Sequence, residues 1–306
     1  MELSVSERLQ NMNKAEYQGK RVSIMATDKC NIKCKHCHLD YKGHFKGERL
    51  RILIHSLAKK YIVKLNGAEV ILHPEYLEIL NICGQKFVKT NGVEVVKNPN
   101  VLNSLKEYGI NSITMSYHFE AHNSISTVPL AIIDEAAKII TDAKMDLWLM
   151  TVISKDNYKD IKKMCDQAYK KGAGSIYFVN LLKTGNAVNM EDETLNDEQI
   201  CEFLIKLEEA RSQYDKSGLN ILRSGTFGKV EGVRNNFLCP AGHSLVAITP
   251  DEKVKPCIGM SGSEFEIGHI EDNKIIIDNP LCHDGSKCLV HEVSNRGVDF
   301  KSYLNR

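Results

Sequence analysis

Three cysteines, Cys30, Cys34 and Cys37, stand on one short stretch, Cys30-Asn31-Ile32-Lys33-Cys34-Lys35-His36-Cys37. Thiolates spaced C-x3-C-x2-C can hold three corners of a cubane 4Fe–4S cluster, and most such clusters take four cysteines. The next cysteine along the chain is Cys83, so one iron would lack a protein ligand and keep an open, reactive position. Zinc shares this vocabulary: Cys30, Cys34, Cys37 and His38 also suffice for a tetrahedral site. A second group, Cys239, Cys257, Cys282 and Cys288, lies towards the other end of the chain, while Cys83, Cys165 and Cys201 stand alone and read as small core hydrophobes.

The elements that must position these residues alternate. The first cysteine group follows an apolar run at 22–26 that reads as a buried strand. Helical spacing over 48–60 is followed by a strand at 61–65, and the pattern repeats: helices at 75–81, 100–108, 130–143 and 158–171, strands at 86–90, 110–117, 146–153 and 175–181. A closing helix at 196–217 takes Asn196 or Asp197 as its cap. Such alternation means βαβ units and a parallel sheet, open or curled into part of a barrel. Ligands of either fold gather at the C-terminal strand ends, where the cysteine loop also falls.

The cysteine stretch resembles the radical S-adenosylmethionine (radical SAM) superfamily signature C-x3-C-x-aromatic-C, with His36 in the slot before the last cysteine. The resemblance continues in order along the strand ends. Asn66-Gly67-Ala68-Glu69 is similar to the family's G-G-E-P segment, with Ala68 and Val70 replacing its second Gly and its Pro. Thr90-Asn91-Gly92 is similar to its T-N-G, Ser116 stands where the family has a Ser, Thr151 is the polar residue of the next strand, and Leu181 begins the stretch that lines the adenine. The resemblance implies that His36, Asn66, Gly67, Ala68, Glu69, Asn91, Ser116, Thr151 and Leu181 contact SAM or steady its loops, and leaves a basic partner for the SAM carboxylate unassigned. It also implies that the cluster splits SAM to methionine and a 5′-deoxyadenosyl radical.

From Phe237 the pattern becomes a cysteine, an apolar strand, a Pro250-Asp251 turn and a returning strand to Cys257. This resembles the SPASM/twitch extension of radical SAM enzymes in its shorter, twitch form. The resemblance implies one auxiliary 4Fe–4S cluster on Cys239, Cys257, Cys282 and Cys288; a four-cysteine zinc hairpin is the alternative. The expected organisation is an N-terminal extension (1–18), a partial (β/α)6 radical SAM barrel (19–228) and a small C-terminal twitch domain of β-hairpin plus helix (229–306).

A formal net charge of +1 gives no field for nucleic acid or a membrane surface. The polar N-terminus lacks the core of a signal peptide, and ten cysteines without an export signal fit a reducing cytoplasm. The expected activity is hydrogen abstraction from a ribosomally made peptide, with flavodoxin or ferredoxin as electron donor. The alternatives are a radical SAM dehydrogenase or mutase of a small molecule, and a non-enzymatic iron–sulfur or zinc scaffold.

Overall fold

The computed structural model describes residues 15–227 and 238–304. The expected boundary at 228/229 and all but the end of the expected N-terminal extension lie outside the described residues. The chain enters through β1 (Ala15–Glu16) and β2 (Arg21–Met25), then runs α1 (Gly47–Leu57), β3 (Ile62–Asn66), α2 (Tyr76–Ile82), β4 (Phe87–Thr90), α3 (Val93–Lys97), α4 (Val101–Glu107) and β5 (Ser112–Ser116). It continues with α5 (His122–Ile125), α6 (Leu130–Asp142), β6 (Asp146–Ile153), α7 (Ile161–Lys170), β7 (Ser175–Asn180), α8 (Asp197–Tyr214) and β8 (Asn220–Arg223). Last come β9 (Leu245–Ile248), β10 (Lys253–Lys255), β11 (Gly268–Glu271) and β12 (Lys274–Ile277).

The six expected parallel strands are β2 to β7, and β8 adds a further parallel strand after the closing helix. Each β4–β8 strand pairs with its sequence neighbour, and β2 pairs with β3 in a separate sheet. Between β3 and β4 the backbone ladder is interrupted, and the buried Gln85 side chain takes its place. Its Oε1 accepts from Leu65 N at 2.9 Å, and its Nε2 donates to Phe87 O at 2.9 Å and Leu65 O at 3.3 Å. One amide thus does for two strands what a ladder rung does, since a buried backbone group left unpaired is costly.

Helices cover the outer face of the strands with their apolar stripes: Ile133, Ala136, Ala137 and Ile140 on α6, and Ile200, Phe203, Leu204 and Leu207 on α8. Asn196 starts α8 with a reciprocal cap, accepting from Gln199 N while the Gln199 side chain accepts from Asn196 N. Among the lone cysteines, Cys165 is fully buried on α7, Cys83 packs against the core and Cys201 is half-buried.

The C-terminal strands form two hairpins in one antiparallel run. Pro250 and Asp251 make the first turn; the second is Asp272-Asn273, whose φ values of 48° and 60° are those of a tight type I′ hairpin. This run is joined to the barrel, because β9 pairs in parallel with β2, and β1 closes it by pairing with β12. The strand that feeds the cysteine loop therefore has β3 on one side and β9 on the other. Beyond the hairpins, among the described residues, come a wide helical turn at His291–Asn295 and a tight one at Phe300–Tyr303.

Candidate active site at the strand ends

The first cysteine loop leaves β2 and returns to α1 through a closed neck. Phe45 N donates to Ala26 O at 3.0 Å, and Asp28 N to Gly43 O at 2.9 Å. Two walls grip its middle. On one side Lys35 N donates to Ile125 O, Lys33 N to Thr127 Oγ1, and Cys34 bridges to Ser126. On the other, Asn186 donates to Cys37 O (2.8 Å) and, through Nδ2, to Cys34 O (3.1 Å), while Thr184 Oγ1 donates to His38 O at 3.0 Å. Gly185 has φ +59° and no room for a side chain: a Cβ there would stand 2.7 Å from the carbonyl oxygens of Cys37 and Leu39.

Cys30, Cys34 and Cys37 come together at the open end of this loop. Burial raises all three thiols, Cys34 to about 12, and the Cys34 thiol is raised further by Cys37 and Cys30. Metal binding removes those protons outright. No three His, Cys, Asp or Glu side chains among the described residues converge as the ligands of one ion do. A cubane takes one thiolate per corner, so its ligands surround a volume instead of a point. Three thiols on one loop with no fourth ligand fit that demand.

Below the loop, the expected SAM residues fall into two groups. Gly67 packs against Thr27, with the position of a Cβ only 3.2 Å from Thr27 O, and Ala68 N donates to the same carbonyl. Asn66 O accepts from Ala26 N at 2.7 Å, tying the end of β3 to the cysteine loop. The fully buried Glu69 accepts from Asn91 N at 2.7 Å, and its carboxyl is pushed up to about 7 by desolvation. Asn91 donates through Nδ2 to Asn31 Oδ1 at 2.8 Å and towards Cys30 Sγ at 3.7 Å. Ser116 ends β5 beside Met150. His36 sits edge-on to His118, ring centroids 4.4 Å apart, and His118 stacks on His122 at 5.5 Å. Burial lowers His36 to about 4, so its ring is neutral at pH 7.

Thr151 and Leu181 make up the second group. Thr151 shares the fully buried face of β6 with Leu147, Leu149 and Ile153, so it faces the helices and not the barrel interior. Leu181 is buried, and both its backbone groups are taken: N–H by Ile153 O, C=O by Asn295 Nδ2. The residues that reading the sequence missed are the clamps, Gln85, Ser126, Thr127 and Asn186, none of which carries a local motif.

At the other end, Cys239, Cys257 and Cys288 meet. The Cys239 sulfur accepts from Leu289 N at 3.4 Å and from the Cys288 thiol, which lowers it to about 6; burial, and after it the charge of Cys239, push Cys257 up to about 12. Cys282 lies on the exposed loop that is tied back by Cys239 N donating to Gly285 O at 2.7 Å.

The known proteins that this chain resembles share this architecture. No protein-family model matches the chain. SuiB of Streptococcus suis bound to its precursor peptide SuiA superposes with a TM-score of 0.65 at 15% identity, covering 84% of this chain and 63% of SuiB. Native anSMEcpe with bound AdoMet gives 0.61 at 17% identity, covering 82% and 78%. This is the radical SAM fold. Two curated relatives agree: the AdoMet-dependent heme synthase of Nitratidesulfovibrio vulgaris (24% identical, 60% of this chain, 54% of the relative) and the subtilosin biosynthesis protein AlbA of Bacillus subtilis (23%, 84% and 59%). The chain thus spans little more than half the length of these relatives. Among the described residues no helix is long and apolar enough to cross a membrane.

Proposed function

We propose that this chain is a radical SAM enzyme of the cytoplasm that modifies a ribosomally made peptide. The observation that supports the reading is the loop of Cys30, Cys34 and Cys37 at the strand ends, with the Cys30 sulfur 3.7 Å from the Asn91 amide that the Glu69–Asn91 tie holds. These cysteines would hold the SAM-binding 4Fe–4S cluster, and Cys239, Cys257, Cys282 and Cys288 an auxiliary one. Bound there, cluster and SAM supply reductive cleavage of the sulfonium and a radical that takes a hydrogen atom from the substrate, with flavodoxin or ferredoxin as electron source.

The protein's own part is orientation. No hydrogen bond among the described residues reaches the carbonyls of Gly67 and Ala68, which suits them to receive the SAM amino group. Glu69 fixes the turn that carries Asn91, and Asn91 supports the Cys30 sulfur. A peptide substrate is supported by what similar proteins carry: SuiB holds its precursor peptide, anSMEcpe is seen with AdoMet and a bound peptide at TM-score 0.62, and the sequence relative AlbA serves bacteriocin biosynthesis.

Anaerobic reconstitution tests the reading. Wild type is expected to take up about eight irons, two cubanes' worth, and to release 5′-deoxyadenosine on reduction with SAM. Replacing Cys30, Cys34 and Cys37 together by Ala should abolish that release while sparing the C-terminal iron. 5′-Deoxyadenosine from the triple variant would sink the assignment.

A further inference from the structure

Lys89 lies on the interior face of the barrel strands, and the proposed function leaves its chemistry unused. It lies on β4 two residues before Asn91, on the same face of the strand, and pairs across to Thr114 and through it to Trp148. That register sets it one layer below Asn91 and Ser116, roughly 7 Å deeper along the strand, and the charge on its amine is felt by His38 in the cysteine loop above. The side chain is partly buried, and protein crowds the amine enough that burial depresses it below the ordinary lysine range. No carboxylate counters that depression, and Lys89 makes no hydrogen bond or ion pair among the described residues.

The surroundings share this bias. Over β3 to β7, the positions in phase with Lys89 carry two cations and a single acid. Lys64 is already engaged, its Nζ 5.4 Å from the centre of the Phe87 ring. The acid, Asp146, lies at the exposed start of β6 and accepts from Trp148 Nε1 at 2.6 Å. A cation held in a crowded interior with no carboxylate acting on it is costly unless a ligand brings the opposite charge.

We propose that Lys89 receives a carboxylate of the substrate, so that the barrel selects a peptide carrying an Asp or Glu side chain, or a free C-terminus, next to the reacting carbon. This rests on the radical SAM reading and gives that site its substrate class. The depth of Lys89, below the ring of SAM-binding residues, favours the substrate over the SAM carboxylate. Binding energy placed there would be spent on orientation: a paired carboxylate fixes one end of the substrate while the reacting carbon faces the mouth.

The test uses the reconstituted protein with SAM and three peptides: Ac-Gly-Glu-Gly-NH2, its neutral partner Ac-Gly-Gln-Gly-NH2, and Ac-Gly-Gly-Gly with a free C-terminal carboxylate. Binding is followed by calorimetry and saturation-transfer NMR. At least one carboxylate peptide is expected to bind wild type at least tenfold more tightly than the Gln peptide, and whichever does so names the source. In Lys89→Met the preference should vanish, and Lys89→Arg should restore part of it. Equal binding of all three to wild type, including none detectable, overturns the proposal even if every variant misfolds. A preference that survives in Lys89→Met also overturns it. So does a tenfold loss of SAM affinity in that variant with the peptide preference unchanged, which would give Lys89 to SAM. Release of 5′-deoxyadenosine by wild type without peptide, read in the same samples, reports on the radical SAM reading separately.

Discussion

The buried Glu69 carboxylate accepts a 2.7 Å hydrogen bond from the backbone N–H of Asn91, joining two strand ends across the interrupted part of the barrel. One oxygen is thereby satisfied; the other, Oε1, has no partner among the described residues. Burial raises the carboxyl from 4.5 to about 7. The folded chain therefore holds this proton more tightly than the unfolded chain does. The stability it contributes is complete below about pH 4.5 and is lost as pH rises to about 7, an upper bound of about 3 kcal/mol. Glu69→Gln removes the titration, so the stability difference between variant and wild type, from urea melts at pH 5 and pH 8, should move in the variant's favour at pH 8. No pH dependence in that difference would mean that Glu69 is ionised throughout.

Gln85 holds β3 to β4 with one side chain. Gln85→Leu keeps the volume and leaves Leu65 N, Leu65 O and Phe87 O without their partner. Each buried group left unsatisfied costs about 1–3 kcal/mol, so a loss of about 3 kcal/mol or more is expected in denaturant melts. A change under about 1 kcal/mol would show that water or a relaxed ladder replaces the amide.

Much of the barrel was legible because its strands are short apolar runs separated by amphipathic helices, two periods that differ sharply. Among the elements that escaped, two did so for plain local reasons. Val93–Lys97 reads Val-Glu-Val-Val-Lys, a strand-like composition, yet it turns helical directly after Gly92, whose φ is +85°. Asn220–Arg223 is four residues long and earns its place only by pairing with β7. The parallel pairing of β9 with β2 joins segments more than two hundred residues apart, and nothing local encodes it. In the site, the cysteines declared themselves by spacing, whereas Thr151 did not declare its face. The 146–153 run is apolar on both sides, so only register decides which residues look inward.

Gly185 clamps the cysteine loop from the side of β7. Gly185→Ala would put a methyl 2.7 Å from two loop carbonyls at a φ of +59°, where a Cβ is already strained. The loop must move, and with it Cys37. Reconstituted Gly185→Ala is expected to retain about half the wild-type iron, the auxiliary share of two cubanes, with little 5′-deoxyadenosine. Full iron and full SAM cleavage would show that the loop tolerates the shift.

Cys239 is the centre of the C-terminal group: its sulfur takes hydrogen bonds from the Cys288 thiol and Leu289 N–H, and it acts on Cys257 through space. Its backbone N–H holds the loop bearing Cys282 through Gly285 O. Cys239→Ala should therefore remove one ligand and also disturb Cys257 and Cys288, while its retained backbone N–H keeps the Cys282 loop tied; Cys282→Ala, on the exposed loop, removes one ligand and leaves the other three in place. Iron in Cys239→Ala is expected to fall from about eight to about four per chain, the content of one cubane, with the visible absorbance of the protein roughly halved. Cys282→Ala should fall less, because three thiolates can still hold a cubane, as Cys30, Cys34 and Cys37 are proposed to do. The measurement is metal content by mass spectrometry beside the absorbance spectrum. Loss of one zinc per chain in Cys239→Ala, with iron unchanged at about four in both proteins, would assign zinc to this end and leave the enzyme with a single iron–sulfur cluster.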